Sequence, residues 1–420
     1  MSSDDTFLDV ATLLGLRIVA DAVWHDGRCS WIGALADPDV PRRAEFVALG
    51  PDLYGGTAGV GLFLARLSVL TGDEAVRRTA IGALRHAMGR AGTLPAERRH
   101  GFHLGALGIA WTLADAADLL GEEELHAGAR SVAHSAASAP ATGRPDLLMG
   151  SAGTVVALLR LSAALDDPVF IELARVAGED LVQTATVTRH GWSWAVPGRG
   201  RPQRLCGCSQ GAAGIGWALV ELFAATGDQR FREGAAGAFA FERSWLDPDS
   251  GTWPDLRIGG QRRTGHRRIE SPAAGTWAHG EAGIALTRLS ATAVLGDGPH
   301  ARDAEIAVGA TERHLADALP FAIEDLSLCT GLMGEADVLG SAAEFGFEPS
   351  ADVASDLAHV AHERQAKTGE DWPCGGMGRK TPGLFPGLAG IGWCFLRQHD
   401  PGTPSPLAPW RVVDTAMSRT

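Results

Sequence analysis

Seven times along the chain, a glycine, two residues and a second glycine open a run that is apolar on nearly every side. The runs are "GTAGVGLFLARL" from Gly56, "GALGIAWTLADA" from Gly105, "GSAGTVVALLRL" from Gly150, "GAAGIGWALVEL" from Gly211, "GEAGIALTRLSA" from Gly280, "GLMGEADVLGSA" from Gly331 and "GLAGIGWCFLRQ" from Gly387. One such element means little, but seven in order, roughly 45–70 residues apart, indicate one supersecondary unit used repeatedly. Helices apolar all round belong in the interior. Between the copies lie segments of the opposite kind, opened by turns such as "LTGDEAVRR", "LLGEEELHA" and "AATGDQRFRE". In the first of these, Val76, Ala80, Ala83, Leu84 and Ala87 recur at helical spacing, with Arg77, Arg78 and Arg85 on the other side. That is an amphipathic helix with one wet face, and its acidic opening complements the helix dipole.

The pattern predicts an all-α fold of seven helix pairs, each an apolar inner helix and an amphipathic outer one. Fourteen such helices can close into an α/α toroid; an open solenoid is the alternative. Glycines at the inner N-termini let the loops approach closely without a Cβ. Those N-termini are expected to present free N–H groups to a central cavity, where function would reside. No internal linker divides the repeats, so residues 1–420 read as one domain, with 1–50 a helical lead-in and 398–420 a loose tail.

Composition narrows the class. At 420 residues and 45% hydrophobic, the chain can bury a sizeable core. A formal net charge of -13 argues against nucleic acid as a general partner. The start "MSSDDTFLDV" lacks the pattern of a secretory signal, and no apolar run approaches the roughly 18 residues of a membrane span. Six scattered cysteines (29, 206, 208, 329, 374 and 394) do not form a disulfide framework and read as reduced thiols in a cytoplasm. A single tyrosine stands against 12 tryptophans, a bias that the sequence does not explain.

In order along the chain, "DLYGGTAGVGLFLA", "DLLMGSAGT", "CSQGAAGIGWALVEL", "TWAHGEAGIALTRL", "SLCTGLMGEADVL" and "WPCGGMGRKTPGLFPGLAGIGW" resemble the lanthionine synthetase C-like cyclases. They resemble the cyclase half of class II synthetases most. That resemblance implies an α/α toroid and addition of a peptide cysteine to a dehydrated Ser or Thr, with the substrate thiolate held on zinc. It also implies where this chain departs. Ala278 stands at the first zinc-ligand position, Cys329 fills the second, and Thr330 occupies the third. Gln210 replaces a histidine associated with proton transfer, while the family's acidic residue is kept as Asp146. One thiolate cannot hold zinc where a catalytic site takes about three protein ligands, so no zinc is expected. A relocated site using Cys206, Cys208, Cys329 and His279 is the alternative to inert packed thiols.

Loss of zinc is not prohibitive. A cysteine of pKa about 8.5 is a few per cent thiolate at neutral pH, which leaves a cost of roughly 2 kcal/mol. Relatives in class III synthetases also lack the ligands and are regarded as cyclases. Asp146, His279, Cys329 and Gln210 are therefore the catalytic candidates. Against this, Asp146 reads equally as a turn cap, His279 as a buried imidazole and Cys329 as a packed remnant. Trp277 is a substrate-binding candidate, together with Arg262, Arg263, Arg267 and Arg268 in "RIGGQRRTGHRRIES". Those arginines suit an acidic or phosphorylated precursor peptide; a solvated loop is the plainer alternative. Two functions follow: a zinc-independent cyclase acting on a precursor peptide, or a non-catalytic scaffold that binds precursor and a partner kinase, lyase or decarboxylase. Separate dehydrating or decarboxylating enzymes are implied as partners.

Overall fold

The N-H group that each inner helix must satisfy decides how its opening turn folds. The computed structural model describes residues 3–36, 44–138, 143–197, 202–257, 275–321, 323–347, 349–375 and 380–408. In five turns the residue after the first glycine donates its N–H to the carbonyl seven positions earlier. These bonds are Thr57 to Gly50 (2.8 Å), Ser151 to Arg144 (2.7 Å), Ala212 to Leu205 (3.0 Å), Leu332 to Asp325 (3.1 Å) and Leu388 to Thr381 (2.9 Å). The expectation of free N–H groups facing a cavity is thereby corrected: the turns fold back and consume these donors themselves.

The glycines permit that fold. A Cβ at the second glycine of a turn would lie 2.1 Å from the Leu53 carbonyl at Gly59, 2.0 Å from that of Cys208 at Gly214 and 2.0 Å from that of Trp277 at Gly283. Each contact is with backbone six residues earlier, so no side-chain movement relieves it.

The inner helices are α2 (Thr57–Thr71), α4 (Ala106–Leu120), α6 (Ser151–Leu165), α8 (Ala212–Thr226), α10 (Glu281–Leu295), α12 (Leu332–Ala343) and α14 (Leu388–His399). Outside them lie α3 (Glu74–Arg90), α5 (Glu123–Ala137), α7 (Val169–Thr184), α9 (Gln229–Arg243), α11 (Pro299–Ala318) and α13 (Pro349–Thr368). Val76, Ala80, Ala83, Leu84 and Ala87 of α3 are buried, as their spacing predicts. Asp73 caps that helix, accepting from the N–H groups of Ala75 and Val76. Each inner helix packs on the next, and α14 packs on α2, so the ring closes.

The seventh outer helix is the N-terminal one. Helix α1 (Ser3–Ala20) packs chiefly on α14, and no outer helix follows α14 among the described residues. The segment read as a helical lead-in is thus part of the ring. It is helical only to residue 20; two hairpins follow, β1 (Val23–His25) with β2 (Arg28–Ser30), and β3 (Ile32–Ala36) with β4 (Ala44–Ala48). A third hairpin, β5 (Thr186–Thr188) with β6 (Gly191–Ser193), precedes the fourth turn. The tail is likewise not loose as far as residue 408. Leu407 is buried, and the Trp393 indole N–H donates to the Pro404 carbonyl at 2.9 Å.

The inner helices also carry charge that their apolar character conceals. Ten residues after the first glycine stand Arg66, Asp115, Arg160, Glu221 and Arg397. Arg66 pairs with Asp115 at 2.8 Å and Arg160 with Glu221 at 3.8 Å, each across neighbouring inner helices. Arg397 pairs with Asp337 of α12 at 2.6 Å. Buried pairs contribute little net stability, but separating one is costly, which suits them to fixing helix register.

Candidate functional site

Aligned on their first glycines, the seven turns place Tyr54, His103, Leu148, Ser209, Ala278, Cys329 and Phe385 at one equivalent position, two residues earlier. Backbone hydrogen bonds join these turns into a closed cycle around the axis. Tyr54 donates to His103 (2.9 Å), Leu104 to Leu148 (3.2 Å), Leu147 to Ser209 (3.2 Å) and Ser209 to Ala278 (3.0 Å). Ala278 then donates to Cys329 (3.1 Å), Cys329 to Phe385 (3.1 Å) and Phe385 back to Tyr54 (2.8 Å). Candidate positions far apart in sequence become neighbours in this hub.

Aromatic rings cluster at the hub. Trp277 and Phe385 lie 5.3 Å apart between centroids, and His103 approaches them at 5.6 and 5.0 Å. Tyr54 stacks on Phe385 at 5.1 Å. Trp277 is fully buried in this cluster, and its Nε1 has no partner among the described residues. Burial pushes His103 down to about 4, against the opposing contact with the Leu147 carbonyl, so its ring is neutral at physiological pH.

Cys329 sits at the hub surface, only 6% exposed. Burial raises its thiol to about 11; a hydrogen bond from Tyr54 and the charge of Arg257 oppose this, and Asp325 adds to it. Thr330 beside it is exposed, and its hydroxyl donates to Asp325 at 2.9 Å. His279 is buried, with Nε2 3.5 Å from the Ser209 hydroxyl. Burial pushes it down to about 3, aided by Arg257 and opposed by Asp255. Gln210 is half-buried in the same turn as Ser209.

Asp146 has its oxygens engaged within its own turn. One accepts the Met149 N–H at 2.9 Å, and the other accepts from Arg144 at 3.0 Å. Asp52 makes the equivalent bond to the Gly55 N–H in the first turn, at 2.9 Å. The cap geometry is therefore a recurring device of the turn. Arg262, Arg263, Arg267 and Arg268 lie outside the described residues. Arg257, at the start of their segment, pairs with Asp255 at 2.7 Å.

The positions that would hold zinc offer a methyl group at Ala278, a thiol at Cys329 and a hydroxyl at Thr330 already bonded to Asp325. This donor set does not fit a zinc ion. Cys206 and Cys208 are free and buried, and burial drives both thiols upward, away from the thiolate that a metal needs. Among the described residues, no three of His, Cys, Asp or Glu are grouped to hold a metal.

Sequence reasoning missed Tyr54, His103 and Asp325. For the first two a signal existed: both occupy the turn position shared with Ala278 and Cys329.

Residues 47–412 match the family described as lanthionine synthetase C-like protein. The solved structure of nisin cyclase superimposes with a TM-score of 0.67 at 14% identity, covering 86% of this chain and 90% of that one. At that identity the likeness concerns the fold. An unsaturated glucuronyl hydrolase specific for heparin gives a TM-score of 0.46 at 14% identity, covering 79% of this chain and 88% of that one. No curated protein matches the sequence. No helix of the described residues is long and apolar enough to cross a membrane.

Proposed function

Because the chain belongs to the lanthionine synthetase C-like family, we propose that it acts on a dehydrated precursor peptide as a zinc-independent thioether-forming cyclase. The observation that carries this reading is convergence. Ser209 donates to Ala278 and Ala278 to Cys329, so the turns that bear family chemistry meet at one hub despite their separation in sequence. The substrate thiol reaches its thiolate by ordinary ionisation, at a cost of roughly 2 kcal/mol, and the dehydroamino acid is already electrophilic. The peptide would approach from the side of Thr330, the exposed residue beside Cys329. A dehydration step would have to supply the dehydrated peptide.

A second reading, a non-catalytic scaffold for precursor peptide and a dehydrating or decarboxylating partner, is favoured by a different observation. His279 at about 3 is a weak base, Gln210 does not titrate, and Asp146 is engaged in its turn. To separate the two, a dehydrated, cysteine-containing peptide is incubated with the protein and free thiols are counted by alkylation. Thiol loss above the spontaneous background, reduced by His279→Ala or Asp146→Asn, supports the cyclase. Binding without acceleration supports the scaffold.

A further inference from the structure

After α14 the chain doubles back on the helix it has just left. Residues 401–408 read "PGTPSPLA", rich in proline, with two hydroxyls and no charge. Inner helices α12 and α14 receive this segment residue by residue. Arg397 donates through Nε to the Thr403 carbonyl at 3.2 Å, and the Trp393 indole N–H donates to the Pro404 carbonyl at 2.9 Å. The Ser405 hydroxyl donates to the carboxylate of Asp337 on α12, which Arg397 pairs at 2.6 Å. The same Ser405 oxygen accepts the N–H groups of Leu407 and Ala408, each at 3.1 Å, and Leu407 is fully buried. Pro404 and Pro406 line a cavity of about 30 Å³ with Leu62, Arg66, Trp111 and Trp393. That space admits a water but no further side chain, so the segment fits closely.

We propose that this seat on α12 and α14, walled by Trp111, is a binding site for an uncharged peptide with a serine or threonine flanked by prolines, and that residues 403–407 of the chain occupy it in cis. The chemistry of each contact selects that ligand. Trp393 and Arg397 address two successive carbonyls, which any sequence offers. Asp337 needs a hydroxyl donor at the next residue, and the tryptophans take the prolines on either side. Docking of a proline-rich segment in an aromatic-lined groove is a general mode of recognition, because a chain with φ already fixed loses little freedom when it binds. A charge at Leu407 would be buried without compensation, which excludes charged segments there. The contacting side chains stand six or ten residues beyond the first glycines of their helices, about 9 and 15 Å along the helix from the hub turns. The site is therefore separate from the candidate catalytic positions, and the inference does not rest on the cyclase reading. A segment of the same kind from another polypeptide enters only when the cis segment leaves, so its apparent affinity is lowered by the fraction of seats already filled.

The test uses the full-length protein and a fluorescein-labelled peptide of residues 401–408, with binding read by fluorescence anisotropy. Leu407→Asp places a carboxylate in the buried end of the seat and is expected to expel the cis segment. Hydrogen exchange over residues 403–408 reads that release directly. The labelled peptide should then bind the variant at least tenfold more tightly than it binds wild type. A peptide with alanine in the place of Ser405 should bind at least fivefold more weakly, and a scrambled peptide no better than background. Thermal melts check that the fold is retained. Ser405→Ala, which only removes the bond to Asp337, is the milder second variant and should shift exchange and affinity in the same direction. Peptide affinity equal in wild type and in a variant with a released segment overturns the cis occupation. Binding no stronger than that of the scrambled peptide overturns the site itself. Exchange over 403–408 unchanged in both variants also overturns the proposal, because the named contacts would then not hold the segment.

Discussion

The ring of Phe7 lies 5.9 Å from that of Phe395, so a contact between the first helix and the last closes the toroid. Phe7 also approaches His359 of α13 at 4.8 Å and is almost fully buried. Without α1, the apolar outer side of α14 would face water. Phe7→Ala is expected to lower stability by about 3–5 kcal/mol, the usual range for a phenylalanine truncated in a packed core. Urea unfolding measures this. Removal of residues 1–20 should produce self-association on size-exclusion chromatography, and a monodisperse, equally stable truncated protein would contradict the closure role.

The second glycine of a turn is a steric necessity. Alanine at Gly214 would put its Cβ 2.0 Å from the Cys208 carbonyl oxygen, whereas a Cβ at Gly92 meets nothing within 4 Å. Gly214→Ala is expected to destabilise by about 2 kcal/mol or more, and Gly92→Ala by less than about 0.5 kcal/mol. Thermal denaturation of the two variants side by side should show a large fall in midpoint for the first only.

His103 makes stability depend on pH. Its folded value of about 4 lies below the ordinary 6.5, so the unfolded chain binds the proton first as pH falls. The contribution is complete above pH 6.5 and is lost progressively as pH falls towards 4, to a total of about 3 kcal/mol. His279 acts in the same direction, down to about 3. His103→Phe should give a shallower loss of stability between pH 6.5 and 4 than wild type, measured by urea titration at several pH values. Parallel curves would exclude the buried neutral imidazole.

The donor set at Ala278, Cys329 and Thr330 predicts purified protein with far less than one zinc per chain, and any ring-closing activity should survive chelation. Restoring donors with Ala278→Cys and Thr330→His should raise zinc content towards about one per chain, because Ala278 and Cys329 are already hydrogen-bonded neighbours. Elemental analysis after dialysis reads both proteins. Stoichiometric zinc in wild type would direct attention to Cys206 and Cys208.

Reversing the charges of Arg262, Arg263, Arg267 and Arg268 should slow association with an acidic or phosphorylated precursor peptide. It should affect dissociation little, since exposed charges act mainly through steering. Binding of wild type should weaken as salt rises. Surface plasmon resonance at two ionic strengths checks this. Equal association rates for wild type and the reversed variant would mark the segment as ordinary solvated surface.

The amino-acid sequence by itself determined what is local. Each pair of glycines marks a turn because the obstructing carbonyl lies six residues back in the same segment, as Cys208 does for Gly214. The wet face of α3 and its Asp73 cap were legible for the same reason. The family resemblance, carried by motifs of the sequence, is what set Ala278, Cys329 and Thr330 at the zinc-ligand positions. Only the tertiary structure decided what depends on distant partners. That α1 is the fourteenth helix follows from the meeting of Phe7 and Phe395, which no periodicity encodes. Turn N–H groups that looked available are consumed once Thr57 bonds to Gly50 and Ser151 to Arg144. Charges such as Arg66 and Asp115 look misplaced in apolar helices until the ring sets them 2.8 Å apart. The lone tyrosine had no reason in the sequence, because its stacking partner Phe385 is supplied by the seventh turn, and closing the ring is what brings the first and seventh turns together.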